Sequence, residues 1–166
     1  MYISSWLSSK PSLDENNEVE ENTKPKKRRG RPKKSDKQEK VENQTDSKTG
    51  LPILSLYGKN RKPKKEQLAG LDIMVFDLQD VGVRFYTYLS TLHNVMEACA
   101  ENNIPLIVLD RPNPDIHYVD GPVLEEEHTS FVGMHSVPIV YGMTIGEYAQ
   151  RIKGEGWLKD SIRCEL

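Results

Sequence analysis

The sequence predicts an α/β fold: an incomplete, mostly parallel sheet with flanking helices, preceded by a disordered arm. Three observations predict it. Apolar runs at residues 73–76 and 104–109 are continuous and do not alternate, the pattern of strands covered on both faces. Between them Phe85, Tyr88, Leu89, Leu92, Val95, Met96 and Cys99 recur at spacings of three and four, which makes one helical face. Residues 8–50 carry only Leu13, Val19 and Val41 as large apolar side chains, too few to offset the entropy of ordering. The expected organisation is therefore a polar arm over 1–43 and a partial α/β domain over 44–166.

Charge divides the chain at the same place. Of the 166 residues, 24–37 hold nine Lys/Arg and one acid, whereas 38–166 hold 13 basic and 19 acidic residues. The overall charge of −2 thus conceals a basic arm joined to an acidic domain. Cys99 and Cys164 are the only cysteines, so no disulfide framework is indicated. No run reaches the length of a membrane span, and the first nine residues lack the charged start and apolar core of an export signal. As written the chain reads as cytoplasmic.

The elements follow in order. Residues 51–57 are apolar between Gly50 and Gly58 and read as a first strand. Residues 60–70 read as a short helix, with Pro63 at its opening and Gly70 at its close. A second strand over 72–78 runs into a polar loop, and a helix over 84–101 ends at Asn102-Asn103. A third strand over 104–110 stops at Arg111-Pro112-Asn113-Pro114, where prolines forbid a helix. Residues 137–141 form a fourth strand, which Pro138 confines to an edge or a strand start. The last helix opens with Thr144 and Glu147 at capping-box spacing and closes near Gly154 or Gly156.

Polar groups collect where these strands end: Asp77, Gln79, Asp80 and Arg84; Asp110, Arg111 and Asn113; Tyr141, Thr144 and Glu147. The crevice beyond the carboxyl ends of parallel strands is where such sheets bind ligands. Paired carboxylates such as Asp80 and Asp110 suit glycoside hydrolysis, one protonating the leaving oxygen and the other activating water or attacking. Arg84, Tyr86 and Tyr88 suit a sugar, with aromatic faces for the ring and a guanidinium for a carboxylate. The bland alternative is that Asp110 and Arg111 hold their loop, that Asp77 accepts backbone N–H groups, and that Tyr88 belongs to the core. His93, His117, His128 and His135 show no metal-ligand spacing, and no glycine-rich phosphate loop is present, so neither a metal nor a cofactor is expected. Glu125-Glu126-Glu127 reads as a solvated turn, and Cys99 as core packing.

Within the arm, Arg29-Gly30-Arg31-Pro32 flanked by lysines resembles an AT-hook. Glycine lets such a backbone hug the minor groove of A/T-rich DNA, arginines seek its negative potential, and lysines meet phosphates. The alternative function is therefore DNA binding through residues 24–34; the bland one is a solvated basic linker that attracts polyanions without sequence preference.

Four ordered motifs carry a second resemblance. Phe76-Asp77-Leu-Gln79-Asp80-Val-Gly82-Val-Arg84-Phe-Tyr86-Thr-Tyr88, Leu109-Asp110-Arg111-Pro112-Asn113-Pro114, Asp120-Gly-Pro-Val and Val140-Tyr-Gly142-Met-Thr144-Ile-Gly-Glu147-Tyr-Ala together resemble the DUF1343 family over residues 38–166. Its NamZ-type members are exo-β-N-acetylmuramidases with a Rossmann-like catalytic domain, acting on peptidoglycan fragments with a terminal N-acetylmuramic acid. The resemblance implies an incomplete Rossmann-like domain and an exported enzyme. It also implies that Asp80 or Asp110 is the assisting carboxylate and that Arg84 or Arg111 binds the lactyl carboxylate. Asp77, Gln79, Tyr86, Asn113 and Glu147 would line the same crevice. The glutamate of the family's Glu-His-Gly-(Phe or Leu)-Arg-Gly segment has no counterpart here. Asp115-Ile116 also departs from the Asn-Gly usual after Pro-Asn-Pro.

Overall fold

A computed structural model describes residues 43–159 and 165–166. The arm, including Arg29, Gly30, Arg31 and Pro32, lies outside the described residues, as does Cys164. The elements are β1 (Gln44–Thr45), β2 (Pro52–Ile53), α1 (Lys65–Leu68), β3 (Met74–Phe76), α2 (Tyr88–Glu101), β4 (Leu106–Val108) and α3 (Ile145–Gly154). β3, α2 and β4 form a β-α-β unit with Met74 opposite Leu106 and Phe76 opposite Val108 in a parallel sheet. Strand, helix and parallel strand are the α/β arrangement expected.

The core explains the order of elements. Met74, Phe76 and Leu106 from the strands meet Leu89, Leu92, Val95, Met96 and Cys99 of α2 and Ile145, Tyr148, Ala149 and Ile152 of α3. The spacing read for α2 is thus its buried stripe, except that Phe85 is exposed and Tyr88 half-buried. α3 starts as its sequence dictates. The Thr144 side chain accepts from Glu147 N at 3.1 Å and the Glu147 carboxylate accepts from Thr144 N at 2.8 Å, satisfying two otherwise orphan donors. Asn102 and Asn103 close α2, Asn103 taking a left-handed φ of 54°.

Several expectations are corrected. The apolar run 51–57 does not join the parallel sheet. Its Pro52–Ile53 pairs antiparallel with Gln44–Thr45 in a separate, exposed hairpin whose turn is gathered by the Asp46 carboxylate. The helix expected over 60–70 contracts to Lys65–Leu68; before it, the Lys62 side chain donates to Glu97 and the Arg61 carbonyl accepts from the Asn94 side chain, both on α2. The helix expected from Arg84 begins at Tyr88, because Val83 bridges Val140 and Arg84 N donates to Ile139 O at 2.9 Å. The fourth strand over 137–141 is absent: Pro138 has no N–H, and only Val140 pairs, with Val83 on one side and Asp120 on the other.

The strands are also not covered on both faces. Val75 is 43% and Ile107 45% exposed, since α2 and α3 share one side of the sheet. The edges differ as well. Met74 and Phe76 direct their backbone groups toward β4, as Met74 N to Pro105 O and Leu109 N to Phe76 O show. By alternation Val75 directs its own N–H and C=O to the opposite edge, where no described residue meets them. At the far edge of β4, Leu106 N donates to Glu165 O at 2.9 Å.

Leu92 has no exposed surface and belongs to the core shared by the sheet, α2 and α3. Leu92→Ala should cost about 2–5 kcal/mol in urea unfolding; a loss below about 0.5 kcal/mol would show that α2 does not bury this face.

Candidate active site

The loop after β3 is built around one buried carboxylate. Asp80 is 2% exposed, and its Oδ2 accepts from Gly82 N at 2.9 Å and from the Tyr141 hydroxyl. Its Oδ1 has no hydrogen-bond partner among the described residues. Burial raises the Asp80 pKa, and the bonds from Tyr141 and Gly82 oppose that shift. Burial and then the Asp80 bond push Tyr141 well above the usual phenol range. Gly82 has φ 85°, and a Cβ there would lie 2.3 Å from Asn113 Oδ1. Only glycine permits both the turn and this approach. Asn113, 4% exposed, donates to Met143 O at 2.8 Å and accepts from Asp115 N at 2.8 Å, locking the second loop beneath the first.

The loop after β4 is fixed by its own acid. Asp110 accepts through Oδ1 from Gly146 N at 2.8 Å and Arg111 N at 3.1 Å, and through Oδ2 from the Thr144 hydroxyl at 2.7 Å. It therefore joins the end of β4 to the start of α3, where the helix dipole also favours an anion. A Cβ on Gly146 would meet Asp110 Cγ at 2.7 Å, so glycine permits the approach. Arg111 pairs with Asp77, both side chains nearly half exposed. Gln79 donates to Asp80 O at 2.8 Å and to Pro112 O at 3.2 Å, a second tie between the loops.

The predicted site residues thus separate into two groups. Asp77, Arg111, Asp110 and Tyr86 are exposed, and the Tyr86 ring stands edge-on to Tyr88 at 4.9 Å. Asp80 and Asn113 are buried supports, Glu147 is engaged in the α3 cap, and Arg84 Nη1 donates to Pro122 O and to Val137 O at 2.7 Å. Among the described residues Glu125, Glu127 and His128 form a grouping of metal-type ligands, all exposed on a short turn.

Sequence reasoning missed a buried chain behind the loops. His93 Nδ1 lies 2.9 Å from His135 Nε2, His135 Nδ1 lies 3.0 Å from the Tyr148 hydroxyl, and His93 Nε2 lies 3.3 Å from Glu97. One set of neutral tautomers satisfies every atom: His93 Nε2–H donates to Glu97, His135 Nε2–H to His93 Nδ1, and the Tyr148 hydroxyl to His135 Nδ1. Trp157 stacks on His135 at 4.5 Å, and Tyr148 meets Tyr141 edge-on at 5.0 Å. Burial lowers the pKa of both histidines, that of His135 to about 3, with His93 adding to the shift. The two are 42 residues apart, a separation at which no local pattern signals contact.

The β-α-β unit with loops at its strand ends defines an α/β domain. Two crystal structures of DUF1343 family proteins from Bacteroides fragilis NCTC 9343 superpose on it. One has TM-score 0.68 and 50% identity over 73% of this chain and 33% of the other. The second has TM-score 0.70 and 49% identity over 74% of this chain and 32% of the other. The family described as "Exo-beta-N-acetylmuramidase NamZ, N-terminal" matches residues 16–166, and the chain belongs to it. It is 54% identical over 111 residues to the peptidoglycan beta-N-acetylmuramidase NamZ of Bacillus subtilis (strain 168), covering 66% of this chain and 27% of that protein. The chain spans about a quarter to a third of the length of these relatives.

Gly82→Ala should destabilise the fold by at least about 2 kcal/mol, from the left-handed φ and the Asn113 clash together. A thermal midpoint equal to that of the parent would refute the loop crossing. Because both histidine pKa values are depressed on folding, protons bind the unfolded chain first. Stability should be flat above about pH 6.5 and fall below it, by up to about 1.4 kcal/mol per pH unit for each histidine. Urea midpoints between pH 7 and 5 measure this; an unchanged midpoint over that window would mean that the pair does not resist protonation.

Proposed function

We propose that this chain contributes a muramic-acid-binding crevice of the exo-β-N-acetylmuramidase type, acting on peptidoglycan fragments that end in N-acetylmuramic acid. The observation that carries the reading is the 54% identity over 111 residues to a peptidoglycan beta-N-acetylmuramidase. Exposure sorts the roles. Arg111 is the carboxylate-binding arginine: its guanidinium stands nearly half exposed, and its partner Asp77 can yield to a substrate carboxylate. Arg84 already serves two backbone carbonyls and orients the loop instead. Asp110 is the assisting carboxylate, since it is exposed and its oxygens retain lone pairs beyond the bonds they accept. Asp80 supports the loop from below. Tyr86 offers a ring face to the sugar, and Gln79 and Asn113 hold the two loops in register.

The glutamate that the family resemblance associates with acid/base chemistry has no counterpart in this sequence.

N-acetylmuramic acid should bind saturably, and Arg111→Gln should weaken it about tenfold, as for loss of a charge-assisted pair. N-acetylglucosamine, which lacks the lactyl carboxylate, should not distinguish the two proteins. Equal binding of N-acetylmuramic acid by both would remove Arg111 from the site. Release of muramic acid from a synthetic aryl muramide, if detected, should vanish in Asp110→Asn.

A further inference from the structure

We infer that a groove remote in sequence from the strand-end loops binds a compact oxyanion, a carboxylate or phosphate group on a polar ligand. The groove, about 470 Å³, is lined by Lys59, Arg61, Lys62, Asn94, Thr129, Ser130, Phe131 and Met134. None of these residues contributes to the crevice described above, so the inference does not depend on the muramidase reading.

Three features make this more than a run of surface cations. The segment that carries it has no regular secondary structure, yet it is fastened: Asn60 donates to Ser55 O at 2.9 Å, Asn94 donates to Arg61 O at 3.2 Å, and Lys62 pairs with Glu97 and Glu101 at 3.0 and 2.7 Å. The Arg61 guanidinium is fixed in place, with Nε donating to Gly58 O at 3.1 Å and its carbon 4.3 Å above the centre of the Phe131 ring. Those two contacts hold one face and one donor, leaving the terminal N–H groups directed elsewhere as a planar fork, the geometry that oxyanions match. Finally, charge is uncompensated. Lys62 is balanced by its two glutamates, but neither Lys59 nor Arg61 has an acidic partner among the described residues. The hydroxyls of Thr129 and Ser130 and the Asn94 amide line the same groove and can receive the ligand's neutral polar groups.

Titrating the full chain with inorganic phosphate, and separately with acetate, while following the Arg61 side-chain N–H and the Ser130 and Phe131 amides by NMR, tests the assignment. Saturable shifts are expected for at least one anion, weakened about tenfold in Arg61→Gln and several-fold in Lys59→Gln. Lys48→Gln, which alters an exposed lysine outside the groove, should bind as the parent does. Saturation by phosphate alone or acetate alone identifies which oxyanion the site takes. Lys59 is exposed and its side chain bonds to none of the described residues, so its variant reports even where Arg61→Gln perturbs the fold. Shifts that rise linearly with salt, or that are the same in all three variants, would overturn the assignment.

Discussion

The buried carboxylate of Asp80 is the constraint on which the arrangement of the loops depends. Removing a carboxylate from water costs several kcal/mol unless hydrogen bonds replace its hydration. Here the replacement comes from two directions at once, the backbone of its own turn and the hydroxyl of a tyrosine 61 residues away. Tyr141 then packs on Tyr148, which bonds His135, which bonds His93 of α2. The polar loop after β3 is therefore continuous with a chain of rings that crosses the core to the second helix.

Acids at the strand ends serve geometry as much as chemistry. Asp110 fastens β4 to the first turn of α3, and the contact is close enough that position 146 has to be glycine. A helix dipole and three hydrogen bonds hold this anion in one position. The same residue can thus cap the helix and face the crevice, and the two readings of Asp110 in the sequence were never exclusive.

Much of this was legible in the sequence where the signal is local. The capping box at Thr144 and Glu147 and the Leu89 to Cys99 part of the α2 stripe are legible because periodicity and cap chemistry act within a few residues, whereas Phe85 and Tyr88 fall outside the buried face. The fourth strand was misread because an apolar run looks the same whether it pairs along its length or only at Val140. The continuous apolar runs of β3 and β4 overstated their burial for a related reason: composition reports what a strand tolerates on each face, not what covers it. Contacts between residues far apart in the chain, His93 with His135 and Asp80 with Tyr141, left no trace at all. Exposure, which separates Arg111 from Arg84 and Asp110 from Asp80, is likewise a property of the folded loops alone.

One edge of β3 is met by none of the described residues. Val75 presents a donor and an acceptor in line, with Ile73 and Val75 apolar and accessible beside them, the features by which one extended backbone templates another. Two acids bound the strand, Asp72 before it and Asp77 after it, and Pro105 precedes its neighbour. Asp72 acts as a gatekeeper at the start of a strand only three residues long, whereas Asp77 at its end is already paired with Arg111. Salt screens the charge of such an acid while leaving the backbone groups of Val75 unchanged.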